Sequence, residues 1–164
     1  KGLILEGVLY SSHDSKRKQF TRWGSFPPYE EIVERARAVL GDDPYHSPDD
    51  EIFIAYQCRG PSSEPISDEI FTYKTWWFMA GPEAHAAMAY KQIGKINLPI
   101  LMIRGENDWI VEDWEAEALA RIAIESGNQN VRVKQIPDAG HDCMQNPDET
   151  LKEIVHMLRT WSKP

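Results

Sequence analysis

The carboxyl-terminal part of this chain alternates two strand-like apolar runs with two amphipathic stretches, and no other feature restricts its fold as much. Leu98-Pro99-Ile100-Leu101-Met102-Ile103-Arg104 reads as a strand, and Asp113 to Glu125 reads as a helix ended by Gly127. Val131 to Ile136 is a second strand, and a second helix starts at Pro147. Strand, helix, strand in that order cannot close as a hairpin, so the two strands run parallel and are joined by a right-handed crossover. The class is therefore α/β. The last helix carries the clearest boundary signals: Asn146 as N-cap, Pro147 at the first position and Glu149 three residues after the cap. Leu151, Ile154, Val155 and Leu158 then share one face.

A third strand-like run, Gly2 to Leu9, opens the chain and is apolar at most positions, as expected of a parallel strand covered on both faces. Between it and Leu98 the pattern is irregular. Residues Ser11 to about Arg22 are polar. Pro28 then precedes an amphipathic helix from Tyr29 to Leu40, with Ile32, Val33, Ala36, Val39 and Leu40 at helical spacing and Gly41 as its stop. Gly41 to Asp50 is a loop, and Glu51 to Gln57 has the composition of either a short strand or a helical turn. Gly60 to Pro65 breaks the pattern before an aromatic segment from Asp68 to Met79. Gly81-Pro82-Glu83 opens a further helix expected to run through about Gln92. The organisation read from this pattern is a core strand at 1–10, a mostly helical insertion at 11–94 and the second part of the core at 95–164.

Charge and composition exclude several functions. The formal net charge is −8 and the one basic run, Lys16-Arg17-Lys18, is short, so no nucleic-acid partner is expected. Apolar runs are about strand length, far below the roughly 20 residues that cross a bilayer, so no membrane segment is expected. Cys58 and Cys143 form neither a disulfide framework nor a C-x-x-C metal site, although their separation leaves one bridge open. The default setting is reduced and cytoplasmic. The group Asp42, Asp43, His46, Asp49 and Asp50 lacks the spacing of a calcium loop or a zinc site, and no metal or cofactor is expected. The chain starts at Lys1 and enters an apolar run at once, which reads as a cut inside a longer protein.

Two loops carry the candidate chemistry: Gly105-Glu106-Asn107-Asp108-Trp109-Ile110-Val111 and Asp138-Ala139-Gly140-His141-Asp142. Each directly follows a strand, and ligands of open α/β sheets gather beyond the carboxyl ends of strands. Asp108 offers an acid and His141 a base. Taken singly, an Asp in a turn satisfies nearby backbone amides, and a loop His serves as a helix cap. Glu106 and Asp113 are rival acids, while Asp138 and Asp142 flank the histidine. A nucleophile is harder to find. Ser25 follows a glycine but no strand, Ser11 and Ser12 follow the first strand without a tight turn, and Cys143 is too near His141 along one loop.

The two loops, in this order after successive parallel strands, resemble the end of an α/β-hydrolase. That family runs Ser, Asp or Glu, His along the chain, with the serine on a G-x-S-x-G turn. Asp108 and His141 match the second and third members, and no G-x-S-x-G occurs here. The resemblance implies a partial α/β-hydrolase fold: parallel strands with flanking helices and a mostly helical cap over residues 11–94. It implies Asp108 and His141 as catalytic residues of a serine hydrolase cleaving ester or related acyl bonds, with the serine in a missing amino-terminal half. It also implies substrate contact by Trp76, Trp77, Phe78 and Trp109, against which stands plain packing of cap on core. The same pattern fits amidases, thioesterases, carbon–carbon hydrolases and dehalogenases. On this reading the chain alone is inactive, its substrate is a small ester, and Gly2 to Leu9 exposes an edge for the missing half or for self-association. The contrasting expectation is a non-catalytic fragment or binding module.

Overall fold

A computed structural model describes residues 1–24, 27–44, 46–47, 53–59, 65–84 and 88–161, with the side chains of Ser12, Trp23, 53–59 and 65–70 left aside. The chain divides into two units, one of residues 1–10 with 88–164 and one of residues 11–87. The second boundary thus falls at Met88, earlier than the Gly94 read from the sequence.

The first unit is built on a parallel sheet of β1 (Leu3–Glu6), β4 (Ile100–Gly105) and β5 (Val131–Ile136), in the order β1-β4-β5. Leu3 pairs with Ile100 and Ile100 with Val131, so the carboxyl ends of all three strands lie together. Strand β4 is central and buried along its whole length. Its side chains alternate between two cores, as the period of a strand requires. Ile100 and Met102 pack with Ala116, Leu119 and Ala123 of α5 (Asp113–Glu125), while Leu101 and Ile103 pack with Ile136, Cys143 and Met157, the last from α6 (Pro147–Trp161). Each buried Ile, Leu or Met among them contributes roughly 1.5–3 kcal/mol relative to exposure.

Where the second unit leaves and returns, the first unit is tied across itself. The Tyr90 N–H, on the short helix α4 (Ala89–Gln92), donates to the Tyr10 carbonyl at 3.2 Å, and the two rings stack 4.9 Å apart. Glu115 is buried, and its carboxylate accepts from the Tyr10 N–H at 2.9 Å and from the Glu112 N–H at 3.3 Å. One side chain thereby closes a capping box on α5 and holds the departing chain.

The second unit holds α1 (Ser12–Trp23), α2 (Tyr29–Leu40), the antiparallel pair β2 (Phe53–Arg59) and β3 (Pro65–Thr72), and α3 (Tyr73–Ala80). Tyr29 is its hub. The buried hydroxyl donates to the Ala80 carbonyl at 2.6 Å and contacts His13 Nδ1 at 2.9 Å, and the ring packs on Phe20 and Trp76. Burial raises the phenol well above its ordinary range.

Several elements differ from the sequence pattern. Strand β1 stops at Glu6 rather than Leu9, because Gly7 turns into the left-handed region at φ 52°. The polar stretch after Ser11 is a helix, capped by the Ser11 hydroxyl on the Asp14 N–H at 3.2 Å. Phe53 to Gln57 is strand, Glu51 and Ile52 lie outside the described residues, and the insertion contains an antiparallel pair that periodicity did not reveal. The breaker at 60–64 lies outside the described residues. Among the described residues, the helix expected from Gly81 to Gln92 is present only as α4. Gly81 is used to end α3, with its N–H on the Trp77 carbonyl at 2.9 Å, and the chain then turns as Ala84 N–H meets the Gly81 carbonyl. No helix among the described residues is long and apolar enough to cross a membrane.

Candidate active site

The loop after β4 is folded by Arg104 and Asp108 acting in opposite directions. Asp108 is buried, and its Oδ1 accepts from the backbone N–H groups of Ile110 at 2.8 Å and Val111 at 3.0 Å. Arg104, at the buried end of the strand, donates to the carbonyls of Val111 and Asp108, both at 2.8 Å, and pairs with Asp113. The turn's amides thus point at a carboxylate and its carbonyls at a guanidinium. Charged partners roughly double the strength of such hydrogen bonds.

The loop after β5 is pressed against this one. The Asn107 N–H donates to the Ala139 carbonyl at 2.8 Å, and the Asp138 N–H donates to Glu106 Oε2 at 3.2 Å. A β-carbon on Gly105 would stand 1.9 Å from the Gly140 carbonyl oxygen, so only glycine permits this approach. Further on, the Gly140 N–H meets Gln145 Oε1 at 2.7 Å, the Thr150 hydroxyl donates to the Cys143 carbonyl at 2.6 Å, and Asn146 reaches back to the Pro137 carbonyl at 2.9 Å.

Held between the loops, His141 places Nδ1 at 3.1 Å from Asp108 Oδ2. The acid side chain is 0% exposed and the imidazole 45% exposed. A carboxylate only accepts, so the imidazole nitrogen facing it carries the hydrogen, and in the neutral ring the lone pair resides on Nε2. The arrangement is chemically directional: an exposed basic nitrogen whose tautomer a buried acid fixes. The ring lies against Gly7 beyond the end of β1, where a β-carbon would come within 3.0 Å of Cε1.

The other candidates have different partners. Glu106 holds the Asp138 amide and Asp113 pairs with Arg104, so neither faces the histidine as Asp108 does. Asp142 caps the Met144 N–H at 2.8 Å. Ser11 caps α1, and Ser25 lies outside the described residues, as does the side chain of Ser12. Cys143 is free and fully buried. Burial first, then the nearby Glu6 carboxylate, pushes its thiol up to about 12, which keeps it protonated and unreactive. Of the four aromatic residues assigned to substrate, Trp109 is partly buried one position beyond Asp108. Trp76 and Trp77 are fully buried in the second unit, where Arg37 lies over the Trp77 ring at 5.2 Å, and Phe78 is exposed. In the acidic loop, His46 contacts Asp43 at 2.8 Å on the surface, and Asp49 and Asp50 lie outside the described residues. No group of three metal-ligating side chains occurs among the described residues.

Arg104 and Glu6 were not singled out by the sequence pattern. The signal for Arg104 was available as a charge at the end of an otherwise apolar strand-like run, whereas Glu6 sits inside the Gly2 to Leu9 run and carries no such mark.

No protein-family profile and no curated protein matches the chain. Solved structures do. MGS-M2, an alpha/beta hydrolase enzyme from a Medee basin deep-sea metagenome library, matches over 100% of this chain and 57% of its own, at 17% identity and a TM-score of 0.50. BpoC from Mycobacterium tuberculosis H37Rv matches over 98% and 58%, at 14% identity and 0.49. An alpha/beta hydrolase from Novosphingobium aromaticivorans matches over 96% and 56%, at 17% identity and 0.36. The match to MGS-M2 shows that the chain has part of the α/β-hydrolase fold. It spans less than two thirds of the length of each of these structures.

Proposed function

We propose that this chain supplies the base and the orienting acid of an esterase-like serine hydrolase, acting on ester or related acyl bonds. The observation that supports this is the bond from His141 Nδ1 to Asp108 Oδ2, with Asp108 Oδ1 fixed by two backbone amides at the carboxyl ends of adjacent parallel strands. His141 Nε2 takes the proton of a serine hydroxyl as it attacks the acyl carbon, then returns it to the leaving group. Asp108 holds the tautomer and stabilises the imidazolium.

Because no G-x-S-x-G occurs in the sequence, the serine and the oxyanion donors come from sequence outside these residues, and the chain alone is inactive. Residues 11–87 form the cap, and substrate contact falls to the partly buried Trp109, one position beyond the acid. The test uses p-nitrophenyl acyl esters. The 164-residue chain is expected to show no turnover above its His141→Ala variant, and clear turnover reveals a nucleophile within it. Joined to the sequence encoded upstream of Lys1, it is expected to hydrolyse the ester, and Asp108→Asn to lower kcat by roughly 10⁴-fold through the wrong tautomer. An upstream sequence without strand, G-x-S-x-G and helix defeats the reading.

A further inference from the structure

The histidine loop is fixed to the sheet on both sides of His141, by two different strands. On the amino-terminal side, Ala139 is held by the Asn107 N–H, from the loop after β4. On the carboxyl-terminal side, the Cys143 N–H donates to Glu6 Oε1 at 2.8 Å, and the Cys143 thiol meets the same carboxylate. The Asp138 N–H adds a second tie to the loop after β4 through Glu106. The bonds from Gln145, Asn146 and Thr150 lie within the segment itself. They fix its shape, but they cannot fix its position over β1 and β4.

Glu6 is the last residue of β1 and Gly7 is the next, where the imidazole rests. The strand thus offers a carboxylate to one end of the loop and a bare backbone to the ring in the middle. We propose that Glu6 is a positioning residue for His141: its hydrogen bond to the Cys143 amide holds the imidazole over Gly7 and within reach of Asp108. The role is defined relative to the acid–base pair described above and rests on that reading. It does not require Glu6 to touch substrate or to exchange protons with the histidine.

The experiment uses the chain itself, labelled with nitrogen-15, and needs no turnover. Long-range proton–nitrogen correlations identify which imidazole nitrogen of His141 carries the hydrogen, and amide exchange at Cys143 reports the Glu6 bond. The wild-type ring is expected as the Nδ1–H tautomer with a protected Cys143 amide. Glu6→Ala is expected to average the tautomers and to speed Cys143 exchange by roughly tenfold or more, as for a locally opened bond. Glu6→Gln keeps an acceptor without the charge and is expected to behave as wild type, with circular dichroism confirming that both variants fold. Two results overturn the proposal: an unchanged tautomer in Glu6→Ala, or its loss in Glu6→Gln as well. A wild-type ring without the Nδ1–H tautomer instead defeats the Asp108–His141 reading, while the Cys143 amide still reports on Glu6.

Discussion

At Gly7 a single α-carbon serves as the seat of an imidazole. Its φ of 52° suits glycine, and its missing side chain leaves room for His141. Gly7→Ala is expected to cost roughly 1–2 kcal/mol from backbone conformation alone, with displacement of the ring added to it. Urea denaturation reads the first effect and the His141 side-chain resonances the second; a variant equal to wild type in both removes Gly7 from the site. Cys143 gives a prediction in pH. Its folded thiol is raised from 9.0 to about 12, so the unfolded chain releases that proton first as pH rises. The stability it contributes is complete below about pH 9 and is lost on the way to about pH 12. Cys143→Ala is expected to lack that alkaline decline, and parallel pH curves for the two proteins would rule it out. Asp108 and His141 could be found from sequence because each sits in a short loop directly after a strand. Glu6 could not, since its partner amide is 137 positions away and no local pattern records it.

The loop after β4 shows how an element can be fixed from beneath. Arg104 gathers two carbonyls that would otherwise face the protein interior unpartnered, and Asp108 gathers the amides from above. Arg104→Met keeps the bulk but leaves those carbonyls unsatisfied, with an expected loss of about 3 kcal/mol on the scale of charged hydrogen bonds. Faster amide exchange at Ile110 and Val111 is expected with it, and unchanged exchange would show that the turn holds without Arg104. Elements with their own period were legible: α5, β5 and the start of α6 fall where apolar spacing, Gly127 and Pro147 place them. The antiparallel pair of β2 and β3 was not legible, because a seven-residue mixed run fits strand and helical turn alike. The segment after Gly81 misled because Pro following Gly marks a helix start and a helix end with equal force. Here the carbonyl at the end of α3 claimed the Gly81 amide.

Across the whole molecule, β1 has β4 on one side and no strand among the described residues on the other. Its Leu3, Ile4 and Leu5 are only partly buried. Such an edge pairs readily with another chain. The isolated protein is therefore expected to self-associate as concentration rises, and light scattering showing one monodisperse monomer throughout would argue against it. The parallel order of the sheet was legible from the alternation of strand and helix, whereas the division at Met88 depended on where Tyr90 docks. That docking has a wider effect. With Tyr10 and Tyr90 joined, the chain just before and just after the 77 residues from Ser11 to Ala87 is fastened together within the first unit. A segment attached that way can be lengthened, shortened or exchanged during evolution with little disturbance to the strands that hold the acid and the base. Selection can then revise the inserted segment separately from the sheet that carries Asp108 and His141.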